Sequence, residues 1–255
     1  MMSSLAMEWQ KLRPLRKTSR TVAVAIGLAV AVSAMVAAAM AANGAHMDLA
    51  ARHDFDPVAT SLQGVNAAVL AIAAFGVLCV TREYGTGMIR VTFLAQPSRL
   101  RVLAAKLGTH AVVSGVAAVV ASVAAFAVGQ ALLDTAGLSV GWDNPHLPAA
   151  MGGGVVYLVL VCLWGVALGA LVRSSSTAIT WLASLLVVAP VIVQILPQRV
   201  VDLVGRWLPS QIGQQAIASH SSAHSFSAWA GLGVLAGYVG LTLIAGAWRM
   251  ARTDP

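Results

Sequence analysis

Six stretches of this sequence, at 21–42, 64–80, 109–133, 149–172, 178–196 and 228–248, contain no Asp, Glu, Lys or Arg. A helix that crosses a bilayer needs about 20 apolar residues, with a range of about 17–25. A charge at the centre of such a helix costs about 2.5–3.5 kcal/mol on insertion scales. Six windows of this length and cleanliness therefore predict six transmembrane helices. Composition agrees. Only 10% of the 255 residues are charged and 58% are hydrophobic, too few charges for a soluble surface. The expected fold class is an all-α polytopic membrane protein, a single transmembrane domain over 1–255.

The basic residues predict the orientation. Lys11, Arg13, Arg16, Lys17 and Arg20 precede the first apolar run. Arg82, Arg90, Arg99, Arg101 and Lys106 lie between the second and third, Arg173 between the fourth and fifth, and Arg249 and Arg252 after the sixth. Only Arg52, Arg199 and Arg206 fall in the alternate connections, where Asp48, Asp54, Asp56, Asp134, Asp143 and Asp202 gather. Lys and Arg concentrate in short cytoplasmic connections, so both termini and the 81–108 segment are expected on the cytoplasmic side. Trp181 and Trp248 near inner boundaries, and Trp229 near an outer one, fit an interfacial aromatic belt. The net charge of +7 flanks apolar runs instead of forming a stripe interleaved with aromatics, which argues against nucleic-acid binding. The first apolar run follows a basic start, as in a signal peptide. At about 20 residues it exceeds the usual 7–15, and it is read as a retained span.

Other local features have structural meanings. Gly165 and Gly169 are four apart, as are Gly233 and Gly237. Such pairs let helix backbones approach closely, within the bundle or at a subunit seam. Pro190 interrupts the fifth helix and frees a backbone carbonyl, so a kink is expected there. In the external segment 197–227, Val200, Leu203, Val204, Trp207 and Leu208 recur at helical spacing. Pro209 ends that run and a second short helix can follow, lying at the interface or dipping back toward the protein. Cys79 and Cys162 each sit in an apolar run without a partner at metal or redox spacing.

The chemistry of an enzyme is not legible here. A phosphate-binding loop ends in Gly-Lys-Ser/Thr, and none of the three lysines, Lys11, Lys17 and Lys106, follows a glycine. No His-Glu-x-x-His occurs. His220 and His224 are four apart but have no carboxylate or cysteine nearby. Ser33, Ser114, Ser122 and Ser184 lie within spans, where serine commonly bonds its own helix. The one histidine near a span is His110, at its cytoplasmic edge. No catalytic, metal or cofactor residue is expected in this chain.

The stretch 81–107, TREYGTGMIRVTFLAQPSRLRVLAAKL, is too long and too patterned for a plain loop. Glu83 ends the second helix near water. Gly85 and Gly87 permit a change of direction, Met88 to Leu94 forms a short mixed-apolar run, and Pro97 suits the first turn of the next helix. A short helix held between two long ones can press on a soluble partner. This stretch resembles the ABC-2 permease family, in particular its small six-helix bacterial members, whose pattern runs Thr-x-Glu-Tyr-x-x-Gly-Thr-Ile-Arg, Pro-x-Arg, Ala-Lys-Leu. Met88 stands where that family usually has Thr. The opening Glu8-Trp9-Gln10-Lys11-Leu12-Arg13 and the external Leu208-Pro209-Ser210 with Gly213 also look like family signatures.

The resemblance implies a permease subunit of an ATP-binding cassette exporter in the bacterial plasma membrane. It implies an amphipathic connecting helix over 1–20, with Glu8, Trp9, Lys11 and Arg13. It implies a coupling region over 81–100 that docks on a separate ATPase, with Arg82, Glu83, Tyr84, Gly85, Gly87, Met88, Ile89, Arg90, Phe93, Pro97 and Arg99. Two ATPase subunits, which bind the ATP and Mg, would work with two membrane subunits, a second copy of the chain or a paralogous permease. The cargo would be hydrophobic or amphipathic, with drug or antibiotic efflux ahead of sodium, lipid or peptide export. A non-transporting scaffold or sensor subunit is the alternative. Glu83 is expected to pair with a neighbouring cation, with Lys11 and Arg13 of the connecting helix at the same depth.

Overall fold

In hydrocarbon every backbone N–H and C=O must be satisfied within the protein, which a continuous helix does by itself. The chain follows that rule. The computed structural model describes residues 16–44, 52, 55–86, 88, 98–218 and 226–252, and among these there is no strand. The helices are α1 (Arg16–Asn43), α2 (Pro57–Gly85), α3 (Arg99–Asp134), α4 (Leu147–Val172), α5 (Ser175–Gln194), α6 (Gln198–Val204), α7 (Pro209–Ile217) and α8 (Ala228–Arg252). Six of them, all but α6 and α7, are long and apolar enough to cross a membrane. The protein is a multi-pass membrane protein.

The helices run past the apolar windows. α3 has 36 residues, about 54 Å at 1.5 Å per residue, against a hydrocarbon core of about 30 Å. It begins at Arg99, not near 109, because an amphipathic first two turns can continue a helix after the apolar stretch ends. α2 likewise starts at Pro57, seven residues before the expected window. Asp56 caps it, its Oδ1 accepting from the Ala59 N–H at 2.9 Å, and Pro57 occupies the first turn, where a missing N–H costs nothing.

α2 and α4 form the centre, and small residues set their spacing. A side chain at Gly76 would collide with the Cys162 carbonyl, and one at Gly165 with the Ala73 carbonyl. Gly169 lies over Val77 in the same seam, so the pair at 165 and 169 is used inside the bundle. Gly64 sits against Ala29 of α1, where its N–H also donates to Ser33 Oγ at 2.9 Å. Ser33 thus bonds across helices, contrary to the expectation that intramembrane serines bond their own turn. Ser114 does follow it, donating to the His110 carbonyl at 2.6 Å. Gly233 and Gly237 differ from the first pair: no atom lies within 4 Å of a Cβ built at either.

The fifth helix runs through Pro190 without interruption from Ser175 to Gln194, with one π-helical turn at Ser184–Val188 just before the proline. Proline has no N–H to return to the preceding turn, and the widened turn absorbs that loss. Beyond it, the segment from Gln198 to Ile217 forms two short helices. α6 leaves Val200, Leu203 and Val204 exposed. After a 3-10 turn at Gly205–Trp207, α7 dips into the bundle and buries Pro209, Ile212, Gly213, Ala216 and Ile217. Gly213 lies against the Tyr157 ring and Gly153 against the Ala216 carbonyl. At the same end Gln130 spends its whole amide on fixing connections. Its Nε2 donates to Ser61 Oγ at 2.9 Å and its Oε1 accepts from the Val140 N–H at 2.7 Å.

Candidate functional site

At the end of the bundle where most basic residues gather, α2 finishes with Thr81-Arg82-Glu83-Tyr84-Gly85, and Thr86 caps it by donating its N–H to the Arg82 carbonyl. Glu83 does not face water. It is buried, and the Lys106 ammonium of α3 donates to its Oε1 at 2.7 Å. The two side chains are 10% and 3% exposed, so this pair is largely withdrawn from solvent. An intramembrane or boundary charge pair of this kind is costly to place.

The pair is the outermost rung of a polar ladder. Four residues back along α2 stands Cys79, and four residues on along α3 stands His110. Cys79 Sγ and His110 Nδ1 are 3.4 Å apart, and Nδ1 is also 3.0 Å from the Lys106 carbonyl. One turn deeper, Phe75 packs on the His110 ring with centroids 4.9 Å apart, and Ser114 Oγ donates to the His110 carbonyl at 2.6 Å. Residues four apart share a helix face, so two antiparallel helices bring these positions into register. The ladder locks the last turns of α2 to the first turns of α3, and hence the two ends of the 86–98 connection to one another.

Arginines fasten the neighbouring helix ends. Arg173 takes a left-handed conformation at the end of α4 (φ 61°), and its guanidinium lies 5.1 Å from the Tyr84 ring centroid. Arg249 of α8 donates to the Leu171 carbonyl. Cations at helix C-termini bond the last carbonyls and oppose the macrodipole. The ends of α2, α4 and α8 are thereby joined on the face that carries the 86–98 connection.

Of the residues expected in the coupling region, Arg82 is exposed, Glu83 buried, Tyr84 half-buried and Met88 exposed. Arg99 is the first residue of α3, with Ser98 at the cap position. Gly85 does not make the turn expected of it. It is helical, with open space around it, and the one glycine with positive φ among the described residues is Gly137. Gly87, Ile89, Arg90, Phe93 and Pro97 lie outside the described residues, as do Glu8, Trp9, Lys11 and Arg13, and His220 and His224. The cation on Glu83 is therefore Lys106 of the next helix, and a pairing with Lys11 or Arg13 falls outside what is described.

Lys106, His110 and Cys79 were missed as a site because their partners lie 23 to 31 residues away. A signal was present: Glu83 and Cys79 share one helical spacing, Lys106 and His110 the same one, and antiparallel neighbours must match them. Among the described residues no group of three or more His, Cys, Asp or Glu could hold a metal ion. Compared with known proteins, the sequence matches no family model, and no curated protein matches it.

Proposed function

We propose that this chain is the membrane-spanning permease subunit of an ABC-2 type exporter, driven by a separate ATPase. The observation that carries the reading is the Glu83–Lys106 clasp. It holds together both ends of the connection whose residues resemble the family's coupling segment. A push from a soluble partner on an unlocked loop would dissipate in loop motion. A push on a loop with a locked base is passed to α2 and α3 together. Because the chain carries no nucleotide-binding motif, the bias between two access states must arrive mechanically. Moving such a balance from 1:99 to 99:1 takes about 5.5 kcal/mol, which closure of a partner ATPase pair can supply. The long apolar faces of α3 and α8, with Val116, Val120, Leu241 and Ile244 exposed, favour a hydrophobic or amphipathic cargo. Two copies, or one copy with a paralogue, would enclose the path.

Two experiments test this. Affinity purification of the tagged chain from its native membranes should recover an ATP-binding cassette ATPase in stoichiometric amount. Met88, five residues after Glu83, is 48% exposed, and Met88→Glu should weaken that recovery. Loss of one central apolar anchor typically costs about 2 kcal/mol, roughly thirty-fold in affinity. The chain should melt as before. Purification without such an ATPase would end the reading.

The orientation is tested separately. On a background of Cys79→Ala and Cys162→Ala, a cysteine at Ser139 should label from outside intact cells and one at Ser98 should not. The thirteen-to-three distribution of Lys and Arg supports an inside position for Ser98. External labelling of Ser98→Cys would invert the topology and remove the coupling segment from any cytoplasmic ATPase.

A further inference from the structure

We propose that the second half of α5, together with α6, is a hinged strap that swings about the π-helical turn while α7 stays seated. A span beside lipid still keeps a buried stripe along its length. α1 does so with Ala25, Ala29, Ser33 and Ala37, and α8 with Leu232, Leu235, Val239, Gly246 and Met250. α5 begins in the same way, burying Ala178, Leu182 and Leu186 at four-residue spacing. The stripe then stops. Among the described residues from 187 to 204 none joins the hydrophobic core, and only Val193 is buried. Val187, Val188, Val191, Ile192 and Leu196 are exposed, and Ile195 is 82% exposed.

The stripe stops where the helix is weakest. At the end of the π turn the Ala189 N–H returns to the Ser184 carbonyl, five residues back, so the turn carries one residue more than an α-turn. Pro190 comes next and brings no N–H. π turns and prolines are where helices bend. The far end of the strap has a second irregular point, the 3-10 turn at Gly205–Trp207. Both turns touch α7, and the strap between them packs chiefly on its own two ends. α7 is held by contrast: Gly213 lies against the Tyr157 ring and the Ala216 carbonyl against Gly153. The Tyr238 hydroxyl, donating to the Trp207 carbonyl at 3.2 Å, ties the 3-10 turn to α8. A segment with few buried apolar contacts, strung between two fixed points, moves at low cost.

The amplitude follows from helix geometry. Gln194 stands eight residues past Leu186, about 12 Å along a helix, so a bend of about 20° at the π turn carries it about 4 Å. α6 moves with it, its exposed Val200, Leu203 and Val204 remaining in apolar surroundings throughout. The swing closes the strap toward the side of α7 or opens that side to the acyl chains, with no loss of core packing. The inference needs the chain to cross a membrane and is independent of any export activity.

Spin-label distance measurement on the full chain in nanodiscs tests it. The background is Cys79→Ala and Cys162→Ala, diluted with unlabelled chain so that only distances within one chain are read. One label is at Ala131→Cys near the end of α3. The other is at Leu203→Cys on the strap or, as the control, at Ala230→Cys on α8; all three positions are exposed. The strap pair should give a distance distribution at least roughly two-fold wider than the control pair, as for a segment that opens independently of the core. Deleting Val187 removes the extra residue of the π turn and should narrow the strap distribution to the control width. Should that variant not purify, Pro190→Leu carries the test. It restores the missing N–H and should narrow the distribution in the same direction. A strap pair as narrow as the control before either change would overturn the strap. A wide distribution left unchanged by the variant used would overturn the π turn as its hinge.

Discussion

Replacing Lys106 with methionine is expected to destabilise the protein by roughly 3 kcal/mol, the lower end of the cost of breaking a buried ion pair. The substitution preserves most of the side-chain volume, so lost packing is a small part of the effect. What remains is a Glu83 carboxylate in a site where its side chain is only 10% exposed. Its charge then lacks the Lys106 ammonium that the fold places on it, and that costs free energy. The lower end applies because the site lies near a helix end, where the surrounding chain can let water approach. Glu83→Leu should cost a similar amount by removing the carboxylate that accepts from the Lys106 ammonium. The double variant Glu83→Leu/Lys106→Met is expected to be more stable than either single one, since it leaves no buried charge. Chemical unfolding in detergent, read as a double-mutant cycle, should give a coupling energy of about 2 kcal/mol or more. Single effects that add within about 0.5 kcal/mol would show that the two groups do not depend on each other. They would also leave the connection without a locked base.

The comparison of sequence with structure separates local information from relational information. Six apolar windows without charge led directly to six helices, because a lipid solvent penalises every exception. Helix limits were less legible. α3 continues to Arg99 because the hydrophobic pattern reports the membrane boundary, whereas the helix stops where its backbone bonds stop. Gly165 and Gly169 were read correctly as close-packing residues, but Gly233 and Gly237 share the same spacing and meet nothing. A spacing says which residues share a face and not what stands opposite that face. The same limit applies to Glu83. Its basic surroundings led to the expectation of a paired carboxylate, but not to which cation. Only the packing of α2 on α3 picks out Lys106. Arg206 was legible merely as one of three basic residues on the sparse side; its guanidinium lies 5.9 Å from the Trp207 ring centroid and 5.8 Å from that of Phe226, a residue 20 positions on.

Gly64→Ala is expected to be the most disruptive single-methyl change in the described part of the chain. A Cβ at residue 64 would overlap the Ala29 carbonyl oxygen and stand 2.6 Å from its carbon and 2.7 Å from Ser33 Oγ. Two of these atoms are backbone, so no rotamer change relieves the clash and α1 must move away from α2. That movement also breaks the Gly64 N–H bond to Ser33, within a seam where close van der Waals contact is the main force holding helices together. Overpacking costs about 1–3 kcal/mol in ordinary cores, occasionally more, and Gly64→Ala should reach the top of that range. Gly76→Ala should follow closely, because the Cys162 carbonyl blocks its Cβ. Gly233→Ala and Gly237→Ala are the controls. Their Cβ positions are open, and alanine is the better helix former by about 0.8–1.0 kcal/mol. Both should be neutral or slightly stabilising. Measured by unfolding of the monomer in detergent, the four variants should split into two pairs separated by about 2 kcal/mol or more. A Gly64→Ala protein as stable as wild type would mean that α1 and α2 are not packed as closely as described.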